Sequence, residues 1–389
     1  MQTETAVLES SLGPSLRRWR VLNRVKQEAL AHELIRRGHT LHLVTDSRAE
    51  RYSGSFPAEM IHIVPSATIG SKNPISIIRA GFTLFKGSRV ARSLFAAFRP
   101  AAVIGFGGYP TVPPLYAAAA SGIPSMLHEQ NAVMGRANKM LAPRVNAIAG
   151  GFLTGEGEPL GAKIFQTGNP VRPAVLEAAK TTYGERTADA PFNLLVFGGS
   201  QGAHFFADAV PDALARLSPE MRALFRVTQQ ARPEDVDAVA ARFAELGIPA
   251  DISPFFSDMA RRIAEAHLVV CRSGASTVSE LSVIGRPAIY VPYPHALDHD
   301  QAANAALVAA NGGAEVVRQS ALTGERFSEL LTEAVNDPEK LTAAALAAKD
   351  AGKPDATERL ADMAEALASV LSTLAQAAVP ARVLALVQV

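Results

Sequence analysis

The chain has a single cysteine and almost no net charge, and both features limit what it can be. Cys271 has no second cysteine to pair with, so no intramolecular disulfide can form and a reducing, cytoplasmic compartment is indicated. The formal net charge is +1 over 389 residues, which indicates no general attraction to nucleic acid. We therefore expect no nucleic acid among its partners.

A long apolar run is absent as well. The longest uncharged stretch, residues 100–127, contains five prolines and four glycines, so strand, loop, helix and strand is a better interpretation than a membrane span. Residues 1–26 carry arginines with no apolar core after them, which argues against a signal peptide. With 48% hydrophobic and 19% charged residues the chain is typical of globular proteins, and its length predicts two domains.

Short apolar runs alternate with alanine-rich helical segments, a pattern that predicts parallel α/β sheets. The predicted strands are 41–45, 61–64, 102–104, 125–128 and 147–149, then 193–197, 225–228, 268–271, 288–291 and 314–317. Two prolines and a glycine in residues 168–173 interrupt the pattern, so we place the boundary between two Rossmann-like domains there. A ligand cleft is expected between the domains, at the carboxyl ends of the strands.

Three glycine-rich junctions each follow a predicted strand and precede a predicted helix. They are Gly105-Phe106-Gly107-Gly108, Gly198-Gly199-Ser200-Gln201-Gly202 and Arg272-Ser273-Gly274-Ala275-Ser276. Glycine lets the backbone approach a ligand closely, and the first turn of a helix offers unpaired N–H groups that suit a diphosphate. A turn that serves only packing is the alternative for each junction.

Polar residues follow three of the predicted strands. The segment His128-Glu129-Gln130-Asn131 is interpreted as part of a site rather than a plain turn. Glu280 lies about one helical turn after Ser276, where its carboxylate either caps the helix or accepts both hydroxyls of a ribose. The segment Asp298-His299-Asp300-Gln301 is a weak metal motif, and a solvated loop or a sugar-reading segment fits it better.

Together these segments resemble the MurG family of glycosyltransferases, which add N-acetylglucosamine to lipid-linked N-acetylmuramoyl-pentapeptide in bacterial cell-wall synthesis. The resemblance runs from about Glu28 to about residue 365. It implies an α/β protein of the GT-B fold, with two Rossmann-like domains facing across a cleft. It further implies an inverting transfer from UDP-N-acetylglucosamine without metal or cofactor, and a peripheral location on the cytoplasmic face of the inner membrane.

Carried over residue by residue, the resemblance also implies a set of binding positions. Arg172 and Ser200 would contact the nucleotide-sugar, Phe256 the uracil region, and Asn131 would lie where donor and acceptor meet. The diphosphate and ribose would contact Ala275, Ser276, Thr277, Val278, Ser279 and Glu280. The sugar would contact Gln301 and Asp300. From their position between a strand and a helix, and not from the resemblance, the glycines of the first two junctions are predicted to form phosphate loops: Gly105, Gly107, Gly108, Gly198, Gly199 and Gly202.

The N-terminus departs from the family pattern. A strand and a glycine-rich loop with a candidate general base should end at Gln27, but residues 18–27 contain no glycine, and Asn23 stands where a histidine is expected. Because asparagine cannot accept a proton, His128 and Glu129 become the candidate bases. We interpret residues 1–27 as a frameshifted or mis-started reading of an ordinary family member, since CGG and TGG codons read one base later encode glycine. A divergent amphipathic helix is the alternative.

These departures define four predicted parts: an aberrant segment (1–27), a first domain (28–168), a second domain (169–365) and a tail (366–389) that the resemblance does not cover. Loss of a central parallel strand should expose the edges of its neighbours, which predicts poor solubility. A UDP-N-acetylglucosamine-binding protein without turnover therefore stays open as an alternative. A GT-B epimerase or hydrolase acting on the same nucleotide-sugar is a second one.

A basic and apolar segment suggests a further partner. No acidic residue occurs between Glu59 and Glu129, whereas large apolar residues alternate there with basic ones: Lys72, Arg79, Lys86, Arg89, Arg92 and Arg99. A basic rim around an exposed apolar face binds anionic bilayers. We expect an anionic membrane surface as partner; a helix with a buried apolar face and solvated charges is the alternative.

Overall fold

Parallel strands dominate the computed structural model, which describes residues 26–47, 56–68, 73–157, 159–184, 186–187, 189–294, 296, 300–375 and 383–387. The predicted aberrant segment lies outside the described residues up to position 25, and so do Asp298 and His299. None of the helices in these ranges is long and apolar enough to cross a bilayer.

The first unit contains the described residues up to Val171 and those from Asp355 onward. Its seven strands are all parallel, in the order β2-β1-β13-β3-β4-β5-β6. The strands are β1 (Thr40–Thr45), β2 (Met60–Ile63), β3 (Ala102–Gly105), β4 (Ser125–Glu129), β5 (Ala147–Gly150), β6 (Ile164–Gln166) and β13 (Val383–Val387). The helices are α1 (described from 26 to 36), α2 (Pro74–Phe98), α3 (Val112–Ala120), α4 (Arg136–Leu141) and α14 (Ala356–Ala375).

The second unit spans Arg172–Pro354 and has a six-stranded parallel sheet in the order β12-β11-β10-β7-β8-β9. Its strands are β7 (Phe192–Phe197), β8 (Phe225–Gln230), β9 (Ala250–Ser253), β10 (Leu268–Cys271), β11 (Ala288–Tyr290) and β12 (Ala314–Val316). Its helices are α5 (Pro173–Ala178), α6 (Gly199–Ala215), α7 (Pro219–Leu224), α8 (Val236–Glu245), α9 (Met259–Glu265), α10 (Ala275–Ile284), α11 (Asp300–Ala310), α12 (Gly324–Asn336) and α13 (Pro338–Ala351).

The unit boundaries differ from the predicted domains at both ends. The chain passes into the second unit at Arg172 rather than after residue 168. It returns to the first unit at Asp355, where the prediction ended the second domain at 365. The return is anchored by α14, because Asp362 and Glu365 accept hydrogen bonds from Arg37, at 2.6 and 2.8 Å.

The last described strand fills the centre of the first sheet. β13 lies between β1 and β3 and is parallel to both, with Leu384 paired to Leu41 on one side and to Ala102 on the other. No role was predicted for the tail beyond residue 365. The absence of a central strand was expected to leave the strands on either side of it with unpaired edges. The structure pairs both of these edges with β13, so the physical reason for expecting poor solubility does not apply to them.

Each sheet also contains a point from which successive strands are added towards one edge of the sheet on one side and towards the opposite edge on the other. We call it the reversal point. In the second unit, β7 leads through α6 and α7 to β8 on one side, and β10 leads through α10 to β11 on the other. In the first unit, β1 leads to β2 and β3 leads through α3 to β4, with β13 between them. Open α/β sheets bind ligands at the carboxyl ends of the strands at such points.

Candidate functional site

Two helices of the second unit begin side by side at its reversal point. The ends of β7 and β10 are paired, Phe197 with Cys271, and α6 and α10 follow these strands directly. The residues before them, Gly198 and Gly274, provide no side-chain cap. The N–H groups of both first turns are therefore available to an anionic ligand, with the positive ends of both helix dipoles at the same edge of the sheet.

Arg172 and Glu280 form a paired contact at this edge. Arg172 Nε donates to Glu280 Oε1 at 2.9 Å and Arg172 Nη2 donates to Oε2 at 2.8 Å, across 108 residues of sequence. The hydrogen bond to the carboxylate raises the pKa of the guanidinium above its ordinary value. The sequence assigned both residues to a nucleotide-sugar but did not predict that they bind each other.

The remaining predicted positions of α10 divide into two groups. Val278 is fully buried in the core, and the Ser279 hydroxyl donates to the carbonyl of Ala275 at 2.8 Å within the helix. The Val278 side chain is therefore enclosed by the core, and the Ser279 hydroxyl bonds within its own helix. Ala275, Ser276 and Thr277 are partly exposed in the first turn, so this turn and Glu280 are the parts of α10 that a ligand can reach.

The start of α11 lies beside the loop that follows β11. Gln301 Oε1 accepts a hydrogen bond from the backbone N–H of Tyr293 at 2.9 Å, and Asp300 is the first residue of the helix. The buried Asn304 donates from Nδ2 to the carbonyl of Ser273 at 3.3 Å. These bonds tie α11 to the α10 junction and leave the amide nitrogen of Gln301 without a hydrogen-bond partner among the described residues.

Phe256 lies after β9 and is only 7% exposed, and the guanidinium of Arg262 lies 4.1 Å from its ring centroid. The neighbouring Phe255 is 73% exposed. A contact of Phe256 with uracil would therefore involve its backbone more readily than its ring. For Ser200, Gly199 and Gly202 the structure describes the helical backbone of α6.

Arg272 is a buried residue that sequence reasoning left out of the site. It donates to the carbonyls of Val291 and Pro292 at 3.0 and 3.3 Å and to Gln319 Oε1 at 2.6 Å, and it has no carboxylate partner among the described residues. Burial lowers its pKa to about 10. It lines a cavity of about 530 Å³ beside α6. Its place directly after a buried strand, within a glycine junction, was the available signal.

In the first unit, Glu129 organises the loop that follows β4. Its carboxylate accepts hydrogen bonds from the N–H groups of Asn131 (3.0 Å) and Gly135 (2.9 Å) and from Asn138 Nδ2 (2.7 Å). Only 3% of Glu129 is exposed. The carboxylate therefore fixes the position of Asn131, the predicted meeting point of donor and acceptor, and brings in Asn138, which the sequence analysis did not select.

His128 is buried beside this loop. Its Nε2 donates to the carbonyl of Gly168 at 3.2 Å, so Nδ1 is the nitrogen that lacks a proton. Burial, and secondarily the nearby Lys26 ammonium, lower its pKa to about 3. Lys26 itself donates to Asn169 Oδ1 at 3.0 Å, and Asn169 donates to the carbonyl of Gln130 at 3.0 Å. As a candidate base, His128 stays a prediction, and its surroundings support a positioning role.

The glycine loop after β3 is built by close packing. A side chain at Gly105 would place its Cβ 2.2 Å from Thr111 Cγ2, and Gly107 and Gly108 have φ values of +86° and +71°, which favour glycine. Gln130 Nε2 donates to the carbonyl of Phe106 at 2.8 Å. The three glycines thus have a structural reason of their own, and the loop lies directly against the Glu129 loop.

Comparison with known proteins gives two family matches. Residues 27–150 match the glycosyltransferase family 28 N-terminal domain, and residues 193–360 match the glycosyltransferase family 28 C-terminal domain. A protein of Rhizobium etli (strain CIAT 652) is 63% identical over 342 residues, covering 88% of this chain and 91% of the relative. A protein of Sinorhizobium fredii (strain NBRC 101917 / NGR234) is 62% identical over the same shares. Both are named UDP-N-acetylglucosamine--N-acetylmuramyl-(pentapeptide) pyrophosphoryl-undecaprenol N-acetylglucosamine transferase.

Solved structures agree with these matches. The crystal structure of MurG from Acinetobacter baumannii has a TM-score of 0.74 and 29% identity, over 88% of this chain and 96% of that one. A UDP-GlcNAc 2-epimerase from Neisseria meningitidis, solved with UDP-GlcNAc, has a TM-score of 0.59 at 13% identity, over 92% of this chain and 97% of that one, which shows the fold alone. The predicted fold class, α/β with two Rossmann-like domains of the GT-B type, is confirmed.

Proposed function

The chain belongs to glycosyltransferase family 28, and from that membership we propose that it moves N-acetylglucosamine from UDP-N-acetylglucosamine to lipid-linked N-acetylmuramoyl-pentapeptide in peptidoglycan synthesis. The observation that carries this proposal is the 63% identity to a relative named for this activity, over 91% of that relative. Transferase activity is favoured over an epimerase or hydrolase because the relatives at 63% and 62% identity are named as transferases. The epimerase neighbour, at 13% identity, shares only the fold.

The reaction is a single displacement at the anomeric carbon. The muramoyl 4-hydroxyl oxygen forms the new bond to C1, the bond from C1 to the β-phosphate oxygen breaks, and UDP leaves with that electron pair. The hydroxyl proton passes to a base. The transition state is oxocarbenium-like, and charge grows on the leaving diphosphate. Groups that stabilise that charge therefore accelerate the reaction.

In the second unit, the uncapped first turns of α6 and α10 are the groups we assign to the diphosphate. They present backbone N–H groups from two adjacent strand ends, with Ser200 on one helix and Ser276 and Thr277 on the other. Arg172 adds a permanent positive charge. We propose that Glu280 accepts the ribose hydroxyls and that the arginine, then released from one carboxylate oxygen, contacts a phosphate oxygen.

The sugar is assigned to the start of α11. Gln301 uses its carbonyl oxygen to hold the loop after β11 and has its amide nitrogen for a sugar hydroxyl. Asp300 precedes it on the same first turn. In the first unit, Asn131 and the glycine loop after β3 are assigned to the acceptor side. Glu129 holds Asn131 through its backbone N–H, and Gln130 donates to the glycine loop at the carbonyl of Phe106.

A membrane surface is the proposed location of the acceptor. Helix α2 exposes Ile75 (76%), Ile78 (72%), Phe82 (69%) and Phe85 (59%), which fall on one side of the helix at 100° per residue. The exposed Arg79, Lys86 and Arg89 lie on that same side, and Ala80, Leu84, Gly87, Ala91 and Phe95 are buried on the opposite one. We call this surface the apolar-basic face of α2, and we propose that it binds the anionic cytoplasmic face of the inner membrane.

The direct test is transfer of labelled N-acetylglucosamine to the lipid-linked acceptor by the full chain, with UDP binding measured in parallel. Product formation is the expected result. UDP binding without product would instead support the alternative of a nucleotide-sugar-binding protein without turnover. Formation of UDP-N-acetylmannosamine without acceptor would support an epimerase, and release of a free N-acetylhexosamine would support a hydrolase. These readouts separate the three functions in one set of samples.

A further inference from the structure

The strand β13 is enclosed on all sides by the first unit. Leu384, Ala385, Leu386 and Val387 are each 0% exposed. Leu384 and Leu386 pack into the core layer that contains Leu30 and Leu360, whereas Ala385 and Val387 pack into the layer on the other face of the sheet. The strand therefore completes both hydrophobic layers as well as the hydrogen bonding of two neighbours.

The enclosing groove is formed by β1 and β3, which do not pair with each other. Strands in a sheet lie about 4.8 Å apart, so a gap of roughly 9.6 Å between β1 and β3 admits one strand and no more. Val387 pairs with Val44 on one side and with Gly105 on the other, so the direction and register of the occupant are set along both edges. A one-residue slip would exchange the two faces and place Leu386 where Ala385 fits.

Residues 383–387 of this chain occupy the groove between β1 and β3. We propose that the groove is a strand-acceptor site, so that a free peptide of this sequence binds it when the resident strand is displaced. The ligand class is an extended apolar peptide that runs parallel to β1 and β3. Backbone hydrogen bonds on both edges supply affinity, and the alternation of large and small side chains supplies selectivity, as in other cases of strand addition.

Occupation of the groove has a consequence for the candidate site in the first unit. The carboxyl end of β13 adjoins Gly105, the residue at which the glycine loop after β3 begins. An empty groove would leave β3 with an unpaired edge directly before that loop. We infer that the glycine loop after β3 is ordered only when a strand fills the groove. This ordering is a matter of folding and peptide binding and does not depend on the proposed transferase activity.

The test uses the full chain with Leu386→Asp, and Leu346→Asp as the control, because Leu346 is 61% exposed on α13. Amide hydrogen exchange should show loss of protection in β1 and β3 of Leu386→Asp, with β7 and β10 still protected, and no change in the control. A synthetic peptide of residues 381–389 should restore protection in β1 and β3, and a scrambled peptide should not. Unchanged protection in Leu386→Asp, or no recovery with the peptide, would overturn the proposal.

A second variant identifies the occupant without unfolding the unit. Val44→Cys and Val387→Cys introduce thiols at paired positions on adjacent strands, and Cys271 is buried in the other unit. A disulfide within one chain is the expected product. A disulfide between two chains would assign the groove to a second copy instead, and absence of any disulfide under oxidising conditions would show that β13 does not lie beside β1. Either of the last two results contradicts the proposal.

Discussion

Arg172 and Glu280 hold each other through two hydrogen bonds of 2.9 and 2.8 Å, at the edge of the second sheet where α6 and α10 begin. The arginine side chain is 36% exposed and the glutamate side chain 13% exposed. The pair thus presents a positive group that solvent and ligands can reach and keeps its carboxylate sheltered. Each residue can exchange one partner oxygen or nitrogen for a ligand atom without leaving a buried charge unpaired.

We expect Glu280→Gln to weaken the use of UDP-N-acetylglucosamine. The amide accepts the ribose hydroxyls less strongly and no longer balances Arg172. A hydrogen bond to a charged group contributes about 1.5–3 kcal/mol, so kcat/KM for the donor should fall roughly 10- to 150-fold. Steady-state kinetics with varied donor measures this. Glu177→Gln, at an exposed glutamate in the same unit, serves as control. An unchanged donor KM and kcat would remove Glu280 from the site.

Glu129→Gln should separate loop positioning from donor binding. The carboxylate accepts hydrogen bonds from several N–H groups. The glutamine amide would place its own NH2 donor against one of these N–H groups, so that neither donor is satisfied. An unsatisfied buried group costs about 1–3 kcal/mol, so the free energy of unfolding of the first unit should fall by that amount. Transfer activity should fall as well, with the affinity for UDP unchanged, because the nucleotide is assigned to the other unit.

The matched control for this variant is Glu156→Gln, at an exposed position of the first unit. If Glu129→Gln kept full activity and stability, the hydrogen bonds to Asn131 and Gly135 would have no role in holding the loop. A loss of UDP affinity would also contradict the assignment, because it would connect Glu129 to the donor.

The periodicity of the sequence predicted most elements that carry the site. The strand expected over 193–197 is β7 (Phe192–Phe197), and the strand expected over 268–271 is β10 (Leu268–Cys271). These segments are buried on both faces, so their apolar pattern is strong. β6 and β9 were not predicted, because they are short strands at the outer ends of their sheets and Ile164 is the one buried residue of the two, so their apolar pattern is weak.

Relationships between distant residues could not be predicted in the same way. The segment 383–387 is apolar, but nothing in it specifies β1 and β3 as partners, which lie about 340 and 280 positions earlier in the chain. The pairing of Arg172 with Glu280 is equally hidden, since each residue has a separate role in the family pattern. Local patterns report which face of an element is apolar, and the fold decides what covers that face.

The buried His128 predicts a pH-dependent stability of the first unit. Its pKa is about 3 in the folded chain and about 6.5 when the chain is unfolded, so the unfolded state binds a proton that the folded state excludes. The stabilisation is complete above about pH 6.5 and is lost as the pH falls from there towards 3, with a slope of at most about 1.4 kcal/mol per pH unit. His128→Asn should reduce this slope between pH 6.5 and 5.

Urea unfolding at several pH values measures the slope. His62 and His267 also have lowered pKa values through burial, so the difference between the variant and the unchanged chain is the informative quantity. His204→Gln, at an exposed histidine, is the control. Equal slopes in His128→Asn and the unchanged chain would show that His128 titrates normally. If kcat showed an inflection near pH 6.5 that disappears in His128→Asn, His128 would be identified as the general base.

The apolar-basic face of α2 predicts binding to anionic vesicles. Phe82→Ser with Phe85→Ser removes two rings that are 69% and 59% exposed, so it should reduce flotation with vesicles of phosphatidylglycerol without lowering stability. Phe165→Ser is the matched control, because Phe165 is a 53% exposed ring elsewhere in the same unit. Arg79→Gln should weaken binding by about 1 kcal/mol, roughly fivefold, with an effect that shrinks as the salt concentration rises. If the control and the double variant float equally, the apolar-basic face of α2 is not the surface that contacts the bilayer. If neither the unchanged chain nor any variant floats above background, the membrane surface is not a partner of this chain.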